Sequence, residues 1–199
     1  MSLYAIPCVL FAGGKSSRMG EDKAFLPFAG HPSLVQYQYE RLEEIFEHVY
    51  ISAKDKNKYT HFKAVVIEDI FYKEVSAPTV GLVNAFSQLK DENSFFVLSV
   101  DTPFVDKDLI GKLLEARDSH YDAIIARTPS GIHPLCGIYT RALEERLNKM
   151  TQNSEHKLMT LLKNANVLYI DIEEEEALLN LNTPPEYQKA LEVLKAKSS

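Results

Sequence analysis

Cysteine is scarce in this chain, and acidic residues outnumber basic ones. Only Cys8 and Cys136 occur among 199 residues. Each sits inside an apolar run, which suits a small core side chain rather than a disulfide, a metal pair or a nucleophile. The 28 acidic residues exceed the 22 basic ones, for a formal charge of −6. That balance argues against a nucleic-acid partner, whose phosphates favour a basic face. It does not exclude a nucleotide, because a few local cations can dominate the potential inside one cleft. No apolar run approaches the roughly 20 residues of a membrane span, and no leader-like charged-then-apolar segment opens the chain. No membrane partner is therefore expected, and the expected compartment is the cytoplasm. Two common phosphate motifs are also missing: neither Gly-x-x-x-x-Gly-Lys-Ser/Thr nor Gly-x-Gly-x-x-Gly occurs. No repeat, linker or low-complexity tract divides the sequence, so residues 1–199 are expected to form one domain.

What the chain does have is concentrated near its start. Ala5 to Phe11 reads as a buried strand, and it stops at Ala12-Gly13-Gly14. Glycines there can turn sharply and aim backbone N–H groups at an anion. Arg18 and Lys23 add positive charge within the same loop. The segment has the makings of a polyphosphate cradle.

Strand-like and helix-like runs then alternate to the end. Strands are expected at Val49–Ala53, Ala64–Ile67, Phe95–Val100, Ala123–Ala126, Leu135–Tyr139 and Val167–Ile172. Helices are expected at His31–Glu47, Pro78–Leu89, Lys107 to Arg117 with Asp106 as cap, Arg141–Met150, Glu155–Lys163 and Pro184–Lys195 with Thr183 as cap. Such β–α alternation predicts an α/β fold in three layers, a mostly parallel twisted sheet with helices on both faces. In open parallel sheets, ligands sit outside the carboxyl ends of the strands. Gly13-Gly14, Glu68-Asp69 and Asp101-Thr102-Pro103 each follow a strand directly, so all three belong on one rim. The run Glu173–Glu176 reads as a solvated loop or helix start.

The stretch Leu10-Phe11-Ala12-Gly13-Gly14-Lys15-Ser16-Ser17-Arg18-Met19-Gly20-Glu21-Asp22-Lys23, continuing through Ala24-Phe25-Leu26-Pro27, resembles the signature of the molybdenum cofactor guanylyltransferases. Family members carry Leu where this chain has Phe11. Val66-Ile67-Glu68-Asp69, Asp101-Thr102-Pro103-Phe104, His133-Pro134-Leu135 and Asn180-Leu181-Asn182-Thr183-Pro184 follow in family order. The resemblance implies a Rossmann-like nucleotidyltransferase fold and transfer of GMP from GTP to molybdopterin, with release of pyrophosphate. It also implies transient contact with other cofactor-biosynthesis proteins or molybdoenzyme chaperones. Related enzymes that use CTP or a sugar-phosphate acceptor share part of the pattern. A non-catalytic nucleotide-binding maturation partner is the alternative from a different class.

Chemistry assigns roles within that frame. Asp101, at the end of an apolar strand, is the candidate Mg²⁺ ligand, through one or two carboxylate oxygens with phosphates supplying the rest. Lys23, a compact charge on a flexible stem, suits the α- and β-phosphates, and Arg18, a planar fork, suits the departing ones. These three are the candidate catalytic residues. Phe11, Ala12, Gly13 and Gly14 are expected to hold the nucleotide alongside Lys23 and Asp101. The resemblance adds Ser52, where relatives often have Asn, Asp69 toward the base or ribose, and Gly81 from a Gly-Pro-Leu-x-Gly block that here reads Ala77-Pro78-Thr79-Val80-Gly81. Asn180 and Asn182 lie two apart, on one face of an extended segment, and are candidates for the acceptor. The other reading of that block is a helix entry through Thr183-Pro184. His133 reads as structural or as a substrate contact, since a terminal phosphate attacking as an anion needs no base.

Overall fold

The strands lie close to their expected places, and their pairing is what arranges the rim. In the computed structural model of the protein, residues 3–13 and 22–197 are described. Among them seven strands form one sheet: β1 (Cys8–Phe11), β2 (Val49–Ala53), β3 (Val65–Glu68), β4 (Ser94–Ser99), β5 (Ala123–Thr128), β6 (Gly131–Thr140) and β7 (Val167–Asp171). Their order is β3-β2-β1-β4-β6-β5-β7. The chain runs β1-β2-β3 outward in one direction, then returns to place β4 on the other flank of β1. That reversal puts the topological switch point between β1 and β4.

β1 to β4 are mutually parallel, as is β7 with β5, whereas β6 runs antiparallel to both β4 and β5. The antiparallel strand follows from its connection. Only Pro129 and Ser130 separate β5 from β6, and a parallel neighbour would need a crossover of about a dozen residues or more. Gly131 takes φ +147° at the turn, a backbone state that favours glycine. β6 is longer than expected from the sequence because its register is broken. Ile125 pairs with Gly137 while Ala126 pairs with His133, and Pro134, which has no N–H to donate, falls inside that break.

Among the described residues six α-helices cover the two faces: α1 (Leu34–Glu43), α2 (Pro78–Gln88), α3 (Lys107–Glu115), α4 (Glu144–Gln152), α5 (Leu158–Lys163) and α6 (Pro184–Lys197). α1, α3 and α6 pack on the side that receives Cys8, Leu10, Ile51, Phe96 and Leu98. α2, α4 and α5 pack on the side that receives Val9, Phe11, Phe95 and Val97. Alternate residues of one strand thus feed two separate cores, which is why these strands read as unbroken apolar runs.

Caps set the helix starts. Ser33 accepts from the Gln36 N–H at 3.2 Å, so α1 begins at Leu34 rather than His31. The residues before it are taken up by a tight turn in which Phe28 and His31 pair across Ala29 and Gly30, both at positive φ. Asp106 caps α3 through the Leu109 N–H at 2.9 Å. Glu173 to Glu176 are exposed and lead into a one-turn 3-10 helix, Glu175–Leu178. Cys8 and Cys136 are free and fully buried, and burial pushes both thiols far above their usual range. Among the described residues no helix is long and apolar enough to cross a membrane.

Candidate nucleotide and acceptor site

Three strand ends carry the site. β1 continues into Ala12 and Gly13, with the Ala12 N–H donating to the Ser52 carbonyl at 3.0 Å and the Phe11 carbonyl accepting from Val100 at 3.0 Å. These bonds carry the sheet pairing past the last residue of β1 and bring Gly13, Ser52 and Asp101 to one edge. Gly14 and Arg18 lie outside the described residues. The chain re-enters at Asp22, whose side chain accepts from the Ala24 N–H at 3.4 Å and caps a one-turn 3-10 helix, Lys23–Phe25. Burial of Ala24 and a bond from the Tyr187 hydroxyl to the Pro27 carbonyl pin this turn against the body of the protein.

Lys23 is thereby held over the end of β4. Its Nζ lies 2.5 Å from Asp101 Oδ2 and 3.1 Å from Asn182 Oδ1. Both partners in the ion pair are largely shielded, at 16% and 15% side-chain exposure, so the attraction is less screened than at an open surface. The other carboxylate oxygen of Asp101, Oδ1, is buried and has no hydrogen-bond partner among the described residues. Desolvating a carboxylate oxygen without a partner is costly, and such an atom calls for an explanation.

Two cavities open along this rim and share Pro78 in their walls. The smaller, of about 160 Å³, is lined by Phe11, Gly13, Ser52, Lys54, Asp69, Ser76, Ala77, Pro78 and Gly81. Ser52 and Asp69 are both buried on its wall. Asp69 Oδ1, like Asp101 Oδ1, lacks a partner among the described residues. Burial raises the Asp69 carboxyl above its ordinary value; nearby Lys54 opposes the rise and Glu68 adds to it. Gly81 lies within α2, where a Cβ would come within 2.4 Å of the Phe11 ring. The absent side chain makes room for that ring, and the ring in turn walls the cavity.

The larger cavity, of about 450 Å³, lies on the other side of Asp101. Its wall is mostly apolar, with Ile132, Pro134, Leu135, Leu158 and Met159, and its polar groups include Asp101, His133, Lys157, Asn180 and Asn182. Pro134 and Leu135 belong to the register break in β6, so the irregularity of that strand shapes the cavity. His133 is half-buried, bonds Thr128 Oγ1 through Nε2 at 3.0 Å, and is held below its usual pKa by burial. The Asn180–Pro184 block opens a helix, as one of its sequence readings expects, and it also borders this cavity. Leu181 is buried and donates its N–H to the Asp101 carbonyl at 2.9 Å. Thr183 and Glu186 form a capping pair at the start of α6, with Glu186 accepting from the Asn182 N–H and the Thr183 hydroxyl, each at 2.9 Å. The Asn180 and Asn182 side chains meanwhile reach the cavity.

The structure thus brings together Lys23, Asp101, Asn180 and Asn182 on one side and Phe11, Gly13, Ser52, Asp69 and Gly81 on the other. Pro78, at the first turn of α2, borders both cavities. Lys54 and Lys157 were not singled out in the sequence. Lys54 stands two residues after Ser52 at a strand end, a position that could have drawn notice; Lys157 precedes a short helix and carries no such signal. Among the described residues no three metal-ligating side chains cluster.

Comparison with known proteins narrows the reading. Residues 8–168 match the MobA-like NTP transferase domain. A molybdenum cofactor guanylyltransferase from Campylobacter jejuni is 39% identical over 189 residues, covering 95% of this chain and 97% of the relative. One from Helicobacter pylori is 35% identical over 201 residues, covering 98% and 92%. Among solved structures, a protein from Aquifex aeolicus superposes with a TM-score of 0.76 at 34% identity, over 90% of this chain and 94% of that one. Molybdopterin-guanine dinucleotide biosynthesis protein A from Archaeoglobus fulgidus gives a TM-score of 0.83 at 21% identity, over 96% and 100%.

Proposed function

The chain belongs to the MobA-like NTP transferase family and is a nucleotidyltransferase, and from that premise we propose that it transfers GMP from GTP to molybdopterin. An oxygen of the acceptor's terminal phosphate attacks the α-phosphorus of GTP. A new P–O bond forms, the bond to the β-phosphate breaks, and pyrophosphate leaves. The attacking group is already an anion at neutral pH, so positioning and charge neutralisation carry the reaction. The observation that best supports this reading is the pair of cavities that join at Pro78, the larger of them lined also by Asp101, which pairs with Lys23. A donor nucleotide in one and an acceptor in the other would place their phosphates at that junction.

In this reading the smaller cavity takes the nucleoside, with Ser52 and Asp69 facing it, Gly81 and Phe11 forming its wall and Ala12-Gly13-Gly14 approaching the phosphates. Asp69 Oδ1, buried and without a partner among the described residues, suits an N–H or O–H donor on the base or ribose. Lys23 contacts the α- and β-phosphates and Arg18 the departing pyrophosphate. Asn180 and Asn182 offer amide donors and acceptors to the acceptor in the larger cavity. Asp101 would hold Mg²⁺: Oδ2 is turned to Lys23 while Oδ1 has no partner among the described residues, and one carboxylate oxygen plus phosphates and water is an ordinary Mg²⁺ environment. When bound, the ion would neutralise charge on the reacting and leaving phosphates. The whole reaction is assigned to one domain spanning the 199 residues. The cytoplasm is its compartment, with transient hand-over of product to other cofactor-biosynthesis proteins or molybdoenzyme chaperones.

The test is pyrophosphate release on mixing the full chain with molybdopterin, Mg²⁺ and each nucleoside triphosphate in turn. Release is expected with GTP and at most a few per cent of that rate with CTP, ATP or UTP. Equal or faster release with CTP would replace guanine by cytosine in this reading. No release with any triphosphate, from a protein that binds GTP, would favour a maturation partner without catalysis.

A further inference from the structure

Gln38 sits in the middle of α1 and is fully buried. A primary amide in such a place is expensive unless its donors and acceptor are all used. Its Nε2 donates to the carbonyls of Val100 and Thr102, at 3.3 and 3.0 Å. These are the residues on either side of Asp101. Its Oε1 accepts from Arg41 Nη2 at 2.7 Å. A guanidinium can only donate, so this bond settles which end of the amide faces the two carbonyls. The carbonyl between them, that of Asp101, is taken by the Leu181 N–H. Three successive carbonyls just beyond the end of β4 are therefore held by groups from α1 and from the segment before α6. The backbone carrying Asp101 is fixed from two sides at a point where regular strand pairing has ended.

We propose that Gln38 is a positioning residue: by clamping Val100 and Thr102 it fixes the backbone that presents Asp101 Oδ1, and so the metal affinity of that carboxylate. This rests on the reading of Asp101 as the Mg²⁺ ligand. A buried Leu or Met would fill the same space between α1 and the sheet without the desolvation cost, so packing alone gives no reason for an amide here.

The experiment measures Mn²⁺ binding to the full chain with GTP and without acceptor, by electron paramagnetic resonance titration, alongside melting temperature. Gln38→Met removes both donors at nearly constant size. Gln38→Glu keeps the acceptor for Arg41 and withdraws the amide donors, and serves if the Met variant fails to fold. The Mn²⁺ dissociation constant should rise about 10-fold in either folded variant, the lower end of what loss of an outer-shell partner costs. GTP affinity measured without metal should stay as in the wild type. Asp101→Asn is run in parallel. If that variant binds Mn²⁺ like the wild type, the metal role of Asp101 is wrong. If it loses Mn²⁺ while both Gln38 variants retain wild-type affinity, Asp101 stands and the positioning role of Gln38 is overturned.

Discussion

Two aspartates stand at strand ends on the same rim, and their surroundings differ. Asp101 has a cation 2.5 Å away and a backbone held by α1 and by the segment before α6. Asp69 is buried on the wall of the smaller cavity with no ion pair within 4 Å among the described residues, and Lys54 acts on it only from farther away. Asp101 itself is bonded from residues 23 and 181, and the carbonyls on either side of it from residue 38, all far apart in the chain. Those near Asp69 are local: its N–H goes to Ala53, and buried Asn84 takes the N–H groups of Ile70 and Phe71, each at 3.0 Å. The contrast fits a division of labour. A carboxylate with one oxygen paired to Lys23 can offer the other to a metal ion. One whose charge is opposed by burial suits a hydrogen-bonding ligand that brings its own donors.

Breaking the charged side should have the largest effect. Asp101→Asn keeps the shape and removes the charge, and turnover should fall by at least about 10², the size of one strong electrostatic contribution to the transition state. Lys23→Ala should cost less turnover but more melting temperature, because it leaves Asp101 shielded and without its cation. Turnover and melting curves on the two variants decide the matter, and unchanged magnesium-dependent turnover in Asp101→Asn would sink the assignment.

The nucleoside side should break sterically. Gly81→Ala places a methyl group against the Phe11 ring and should destabilise the fold by about 1–3 kcal/mol, the usual range for overpacking. It should weaken GTP binding as well, since the same ring walls the cavity. Phe11→Leu in the same chain should restore most of both. Denaturant unfolding of the single and double variants measures this, and a Gly81→Ala protein as stable as the wild type would show that the ring has room to move.

The smallest effect sharpens the contrast itself. An acid whose folded pKa lies above its unfolded one binds its proton more tightly when folded. Its favourable contribution is complete below the unfolded value, near 3.8 for Asp69, and is lost as pH rises through the folded value. Asp69→Asn should therefore gain stability relative to the wild type as pH climbs from about 3.8 toward neutrality, then hold a constant advantage. Melting temperatures of both proteins across that range test it. A flat difference would mean that the Asp69 carboxyl is not raised.

Much of this was legible before any tertiary information. The strand ends expected at Phe11, Ile67 and Val100, where apolar runs stop at glycine, acid or turn residues, lie within one residue of the observed Phe11, Glu68 and Ser99. Because parallel strands end on one edge, Gly13, Asp69 and Asp101 could be placed together on a rim. The caps at Asp106 and Thr183 were readable from residue type and spacing. The strand expected at Leu135–Tyr139 runs longer, from Gly131 to Thr140, and the Pro129-Ser130 connection admits only an antiparallel return. Gln38 was overlooked because a glutamine among Gln36, Tyr37 and Glu40 looks like solvated helix surface.

Local chemistry wrote the elements and the residue types of the candidate site into the sequence, since periodicity, capping and turn preference act over a few residues. Tertiary structure alone decided which side chains meet. The bonds from Lys23 to Asp101 and to Asn182 join residues 78 and 159 positions apart, and the clamp from Gln38 to Val100 spans 62. Those distances close only when β4 returns beside β1 and α6 packs beneath the rim. No local preference along the chain encodes that closure; it comes from burying two apolar faces of one sheet at once.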